Sequence, residues 1–276
     1  MSTFSRSWNL VKAAWSVLRD DKELIVFPIV SAIGAILVMI AFAVPEFLLY
    51  SSGSNETISY ILLFLFYLVL YTVINFANSA LVGATMIRLQ GGNPTLGDGF
   101  RIALSRLSAI VGYALIAATV GIILQALSKR GALADLVRSL IGLAWNLATY
   151  LVVPVLVVED VGPIEAVKRS ASLLKRTWGE QIVGGAGMGL VFFVLFLLTT
   201  VLAGVGVYLG ASLNSTTLIV ACVVVGILVY LVLALLSSTL GGIYSAAVYR
   251  YAADGEMSKQ FAPELIRNAF HAKGDQ

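Results

Sequence analysis

Between Glu180 and Arg250 the chain carries no charged side chain. A helix that is apolar all round cannot rest with one face in water; it must lie in a protein interior or in lipid. The stretch divides at Ser212, Asn214, Ser215 and Thr216 into two segments. Each is longer than the ~20 residues that cross a bilayer. Just before it, Glu159 to Glu180 reads EDVGPIEAVKRSASLLKRTWGE. Pro163 suits a first helical turn, where its missing N–H costs nothing. Ile164, Val167, Ala171, Leu174 and Trp178 recur at spacings of three and four, with Lys168, Arg169, Ser172, Lys175 and Arg176 opposite. This is the pattern of a surface helix feeding a pair of spans.

The remainder of the chain repeats it. Only 12% of the 276 residues are charged and 59% are hydrophobic, against about a quarter charged in a soluble domain. The expected fold is therefore an all-α polytopic membrane bundle of six transmembrane helices with interfacial amphipathic helices. The spans are expected at Leu24–Val44, Ile58–Ile87, Leu107–Leu127, Leu140–Val158, Gln181–Leu209 and Thr217–Tyr249. The last exceeds what a bilayer needs, so it tilts, breaks near Gly241-Gly242 or runs on into the cytosol. Three helix-plus-hairpin units, 1–88, 89–158 and 159–250, and a cytoplasmic tail, 251–276, make one integral membrane domain, 1–276. The first surface helix, up to Glu23, places Phe4, Trp8, Val11, Trp15 and Leu18 on one side and Arg6, Asn9, Lys12, Ser16 and Arg19 on the other. The first apolar segment is too long for a signal-peptide core, and an uncleaved N-terminus is expected.

Sidedness follows from the cations. With six spans, Arg6, Lys12, Arg19 and Lys22 share a side with Arg88, Arg101 and Arg106, with Lys168, Arg169, Lys175 and Arg176, and with Arg250, Lys259, Arg267 and Lys273. The other side holds Lys129, Arg130 and Arg138. The positive-inside rule then places both termini in the cytoplasm of a multi-pass inner (cell) membrane protein.

No charged residue or histidine lies within these expected spans, which argues against a proton relay or voltage sensor. The polar span residues are Asn75, Asn78, Gln125 and Asn146. They bond across helices or line a polar path. Gly185 with Gly189, and Gly206 with Gly210, let backbones approach within the protein or between copies. Asp20, Asp21 and Glu23 stand where a carboxylate favours the start of span one, or where a lipid-modifying enzyme would handle a metal or phosphate. No metal site, cofactor or nucleophile triad can be assembled around His271 or elsewhere, and Cys222 is the one cysteine. Net charge +3 accompanies no nucleic-acid module, so no nucleic acid is expected.

Three segments carry a resemblance: SWNLVKAAWSVLRDDKELIVFP, GPIEAVKRSASLLKRTWGE and YRYAADGEMSKQFAPELIRNAF. They resemble a family of prokaryotic six-span membrane proteins known only as a domain of unknown function. The chain is less closely similar to the membrane domain attached to some glycerophosphodiester phosphodiesterases, whose Ala-x-x-x-Ser pattern Ala166 and Ser170 occupy. The resemblance implies the architecture and supplies no catalytic residue. The function expected is non-enzymatic, structural or interactive, with contact to anionic lipid of the cytoplasmic leaflet through Trp8, Trp15, Lys168, Arg169, Lys175, Arg176 and Trp178. A homo-oligomer or a membrane-protein partner is the other expected association. The alternatives are a permease or channel for a neutral or amphiphilic solute, and a lipid-modifying membrane enzyme.

Overall fold

The computed structural model describes residues 3–51, 56–127, 132–178 and 188–255, together with Phe261. All regular structure in them is helical. Surface helix α1 (Thr3–Asp20) leads through a short 3-10 turn (Lys22–Ile25) into α2 (Val26–Ser51). Then follow α3 (Glu56–Leu89), the short α4 (Leu96–Ser105), α5 (Leu107–Leu127), α6 (Ala132–Thr149) and α7 (Val152–Val158). Surface helix α8 (Pro163–Trp178) precedes the hairpin of α9 (Gly189–Ser212) and α10 (Thr216–Asp254). Six segments are long and apolar enough to cross a membrane, α6 and α7 together forming the fourth. This is the expected bundle, with surface helices α1 and α8 where the amphipathic pattern put them.

Buried residues gather at one end, which we call the base. Leu10–Phe27 of α1, the turn and the start of α2 meet Ala80–Leu89 of α3, Leu151–Val157, Leu173 and Leu174 of α8, and Leu240–Ala252 of α10. The central helix is α3, which touches α2, α4, α5, α7 and α10. Its inner face is a run of small residues, Ala77, Ala80 and Ala84. Such residues let helices approach where lipid removes the hydrophobic drive to associate. Toward the far end the same spans show lipid-type surface: Leu37, Ile40, Leu65, Leu202 and Leu228 are all exposed.

Two spans differ from the sequence expectation, and a third settles on one of its alternatives. Helix α2 runs through Pro45 to Ser51. A proline inside a membrane helix is tolerated where the freed carbonyl is satisfied locally. Span four starts earlier, at Ala132, and breaks between Thr149 and Val152. The cause is Pro154, which removes the donor for the Tyr150 carbonyl and crowds it. The amide of Leu151 at this break donates to the Ser170 hydroxyl of α8 at 3.0 Å. Span six does not break at Gly241-Gly242; α10 continues for 39 residues. At 1.5 Å per residue that is about 58 Å, so its last turns project beyond a ~30 Å hydrocarbon layer. Gly255 ends it with φ of 70°, a left-handed cap that glycine takes without strain. The expected tail helix and the start of span five, Gln181 to Gly187, lie outside the described residues.

Helix C-termini at the base are closed by arginines from other helices. Arg88, at the end of α3, donates to the Asp20 carbonyl that ends α1, at 3.2 Å. Arg250, near the end of α10, donates to the Leu89 carbonyl that ends α3, at 2.6 Å. Arg176, in the last turn of α8, donates to the Ala252 carbonyl of α10 at 2.9 Å. Each guanidinium meets the negative end of a helix dipole and a carbonyl with no helical donor. Arg250 is the most deeply buried of the three, at 9% exposure. Arg250→Met strands the Leu89 carbonyl and costs about 1–3 kcal/mol. Thermal unfolding in nanodiscs measures it: a fall of several degrees is expected for Arg250→Met, and a smaller one for Arg250→Lys.

Candidate functional site

The first surface helix packs on the bundle through a side that takes in Leu18 of its apolar stripe and leaves Trp8 and Trp15 out. Ser7, Leu10, Ala14 and Val17 are buried against the bundle, and α1 touches both α9 and α10. Trp8 and Trp15 face away, 42% and 47% exposed. At 3.6 residues per turn, Trp8, Lys12, Trp15 and Arg19 fall within an arc of about 60°. Lys12 Nζ lies 5.9 Å from the centre of the Trp8 ring, within cation–π range. Lys12 and Arg19, first read as facing away from the tryptophans, thus alternate with them on one open stripe.

The second basic helix divides its cations. Arg169 is engaged internally: its Nε donates to both oxygens of Glu159, at 2.9 and 3.1 Å. Tyr249 of α10 donates its hydroxyl to the same carboxylate at 3.0 Å. The Glu159 carboxylate holds the Arg169 guanidinium's pKa up. Arg176 caps α10, as described above. Lys168 and Lys175 remain exposed beside Ile164. Ala166 and Ser170 are fully buried, so the Ala-x-x-x-Ser face is the packing side of α8, with Ser170 completing the break in span four. The side chain of Trp178 lies outside the described residues. A neighbouring pair, Arg106 and Asp160, ties the start of α5 to the loop before α8.

The polar span residues do not share one environment. Asn75 is buried and donates to the Tyr71 carbonyl of its own helix at 2.8 Å, rather than to a residue of another span. Asn78 is half-buried, while Gln125 and Asn146 sit on exposed surface. Gly206 and Gly210 pack inside the α9–α10 hairpin. A methyl group at Gly206 would meet Cys222 Sγ at 2.5 Å, and one at Gly210 would meet Ile219 at 2.7 Å. Gly189 opens α9 with free space around it, and Gly185 lies outside the described residues.

The acidic cluster at the α1–α2 junction is also split. Asp20 and Glu23 are exposed, and Asp21 is buried at 7% exposure with Oδ2 lacking a hydrogen-bond partner. Among the described residues no three His, Cys, Asp or Glu side chains converge to hold a metal ion. Burial pushes the Asp21 pKa up and the nearby Glu23 adds to this, while Arg88 opposes it. A carboxyl whose folded pKa is raised binds its proton more tightly folded than unfolded. Stability therefore falls as pH rises through the carboxylate range. Asp21→Asn removes that penalty. It is expected to raise the unfolding temperature at pH 7. The gain shrinks toward pH 4, and a pH series of melting curves for the two proteins measures it.

Residues 57–259 match the model of a family described as "Family of unknown function (DUF6159)". No curated protein and no solved structure matches the chain. The match spans α3 to the end of α10, including the central helix, the Ser170-capped break and two of the three arginine caps. The chain, with its six segments long and apolar enough to cross a membrane, belongs to this DUF6159 family of unknown function.

Proposed function

We propose that the protein is a non-enzymatic structural component of the inner membrane that binds anionic lipid headgroups at its base. In this reading the base and both termini lie in the cytoplasm. The observation that carries the proposal is the α1 stripe of Trp8, Lys12, Trp15 and Arg19, open on one side of a helix whose other side is sealed against α9 and α10. Indoles favour the headgroup region, where the ring is buried and the N–H stays wet. Cations there attract anionic lipid at about 1 kcal/mol each. Lys168 and Lys175 extend the basic surface, and Arg169 and Arg176 hold α8 in place behind them. The separation of Asp20, Asp21 and Glu23 supports a non-enzymatic role over lipid modification. The likeness of Ala166 and Ser170 to the phosphodiesterase-linked membrane domain is, in this reading, a shared way of docking a surface helix. A second copy or another membrane protein would pack on the apolar far halves of the spans.

Brominated-lipid quenching tests the proposal. In a Trp145→Phe/Trp178→Phe background only Trp8 and Trp15 report. Brominated phosphatidylglycerol in nanodiscs is expected to quench them more than brominated phosphatidylcholine, and salt should weaken the difference. Lys12→Glu/Arg19→Glu is expected to abolish the preference. Equal quenching by the two lipids, or a preference that survives the charge reversal, contradicts the proposal.

A further inference from the structure

The far end of the α2–α3 hairpin holds a side-opening groove. It is lined by Met39, Phe42, Ala43, Leu62 and Phe66, with Glu46 as its charged member, and encloses about 260 Å³. Phe42 and Phe66 meet edge to face at 5.7 Å and brace it. We propose that this groove binds the upper acyl chain of an aminophospholipid, whose ammonium pairs with the Glu46 carboxylate.

Three observations choose this occupant. The first is depth. From Val26, where α2 begins, 20 residues at 1.5 Å each place Glu46 about 30 Å up the helix, at the far edge of the hydrocarbon layer. That is headgroup level, on the opposite side of the membrane from the base. The second is direction. Met39, Phe42, Ala43 and Glu46 lie along one face of α2 over two turns, so the groove runs parallel to the spans, as a lipid tail does. The third is chemistry. The lining is apolar except for one carboxylate at the headgroup end, which attracts a cationic amine and repels an anionic headgroup. The volume is below the ~300–1,000 Å³ of sites that enclose compact ligands, and suits a chain segment. The site is independent of the lipid contacts proposed at the base. It lies at the other end of the molecule and takes a zwitterionic amine headgroup where the base takes anionic ones.

Photo-cross-linking tests it with the full-length protein in nanodiscs. The probes are phosphatidylethanolamine and phosphatidylglycerol carrying a diazirine near the top of one acyl chain, with adducts mapped by peptide mass spectrometry. The wild type is expected to give about tenfold more ethanolamine-lipid adduct than glycerol-lipid adduct within residues 39–66. Glu46→Gln, an exposed and isosteric change, should bring the two probes to parity. Ala43→Phe, which fills the groove, should reduce both. Parity in the wild type, a preference unchanged in Glu46→Gln, or adducts absent from this segment overturns the proposal. None of these outcomes depends on Lys12 or Arg19, so the test stands apart from that of the base.

Discussion

A helix that ends at a membrane surface leaves its last carbonyls without donors, and the packing at the base depends on how this protein supplies them. Arg88 closes α1, Arg250 closes α3 and Arg176 closes α10. The three bonds link α8 to α10, α10 to α3 and α3 to α1, so four helices from all parts of the chain share one end. Arginine suits the task because its guanidinium stays charged when buried and offers several donors in a fixed plane. A lysine at Arg250 would present a point charge that is costlier to desolvate.

This arrangement divides the molecule along its length. At the base, alanines of α3 admit close neighbours, and Glu159, Arg169 and Tyr249 bind α8 to the bundle through one carboxylate. Away from it, the spans pair chiefly as hairpins. Gly206 and Gly210 set the spacing in the α9–α10 pair, and Thr200 and Tyr230 add a hydroxyl–hydroxyl bond. Exposed leucine, valine and phenylalanine then meet lipid, which solvates them as well as another helix would. The α2–α3 groove with Glu46 interrupts that surface at headgroup depth.

The six spans and the surface helices were legible because both rest on local composition: charge-free runs and a basic amphipathic face. The cations of α8 were legible as a count, but not their division of labour. Nothing in the sequence separates Arg169 and Arg176, each bonded to another element, from Lys168 and Lys175, because those partners lie up to 76 residues away. The inner side of α1 was not legible because its Ser7 and Ala14 carry little hydrophobic signal. Pro45 and Pro154 were both visible, and they act oppositely. Pro45 is carried within α2, whereas Pro154 follows a break that Ser170 stabilises from α8. Only the tertiary partner distinguishes the two.

The central claim is that α1, α4, α8 and the ends of α3 and α10 share one base on one side of the membrane. Cysteine accessibility in a Cys222→Ala background tests it most directly, using a membrane-impermeant maleimide on intact cells and on permeabilised ones. Lys12→Cys, Arg101→Cys and Ser172→Cys are predicted to label only after permeabilisation, and Asn214→Cys, in the α9–α10 turn, to label on intact cells. Labelling of any of the three base positions on intact cells, or protection of Asn214→Cys there, would contradict the account.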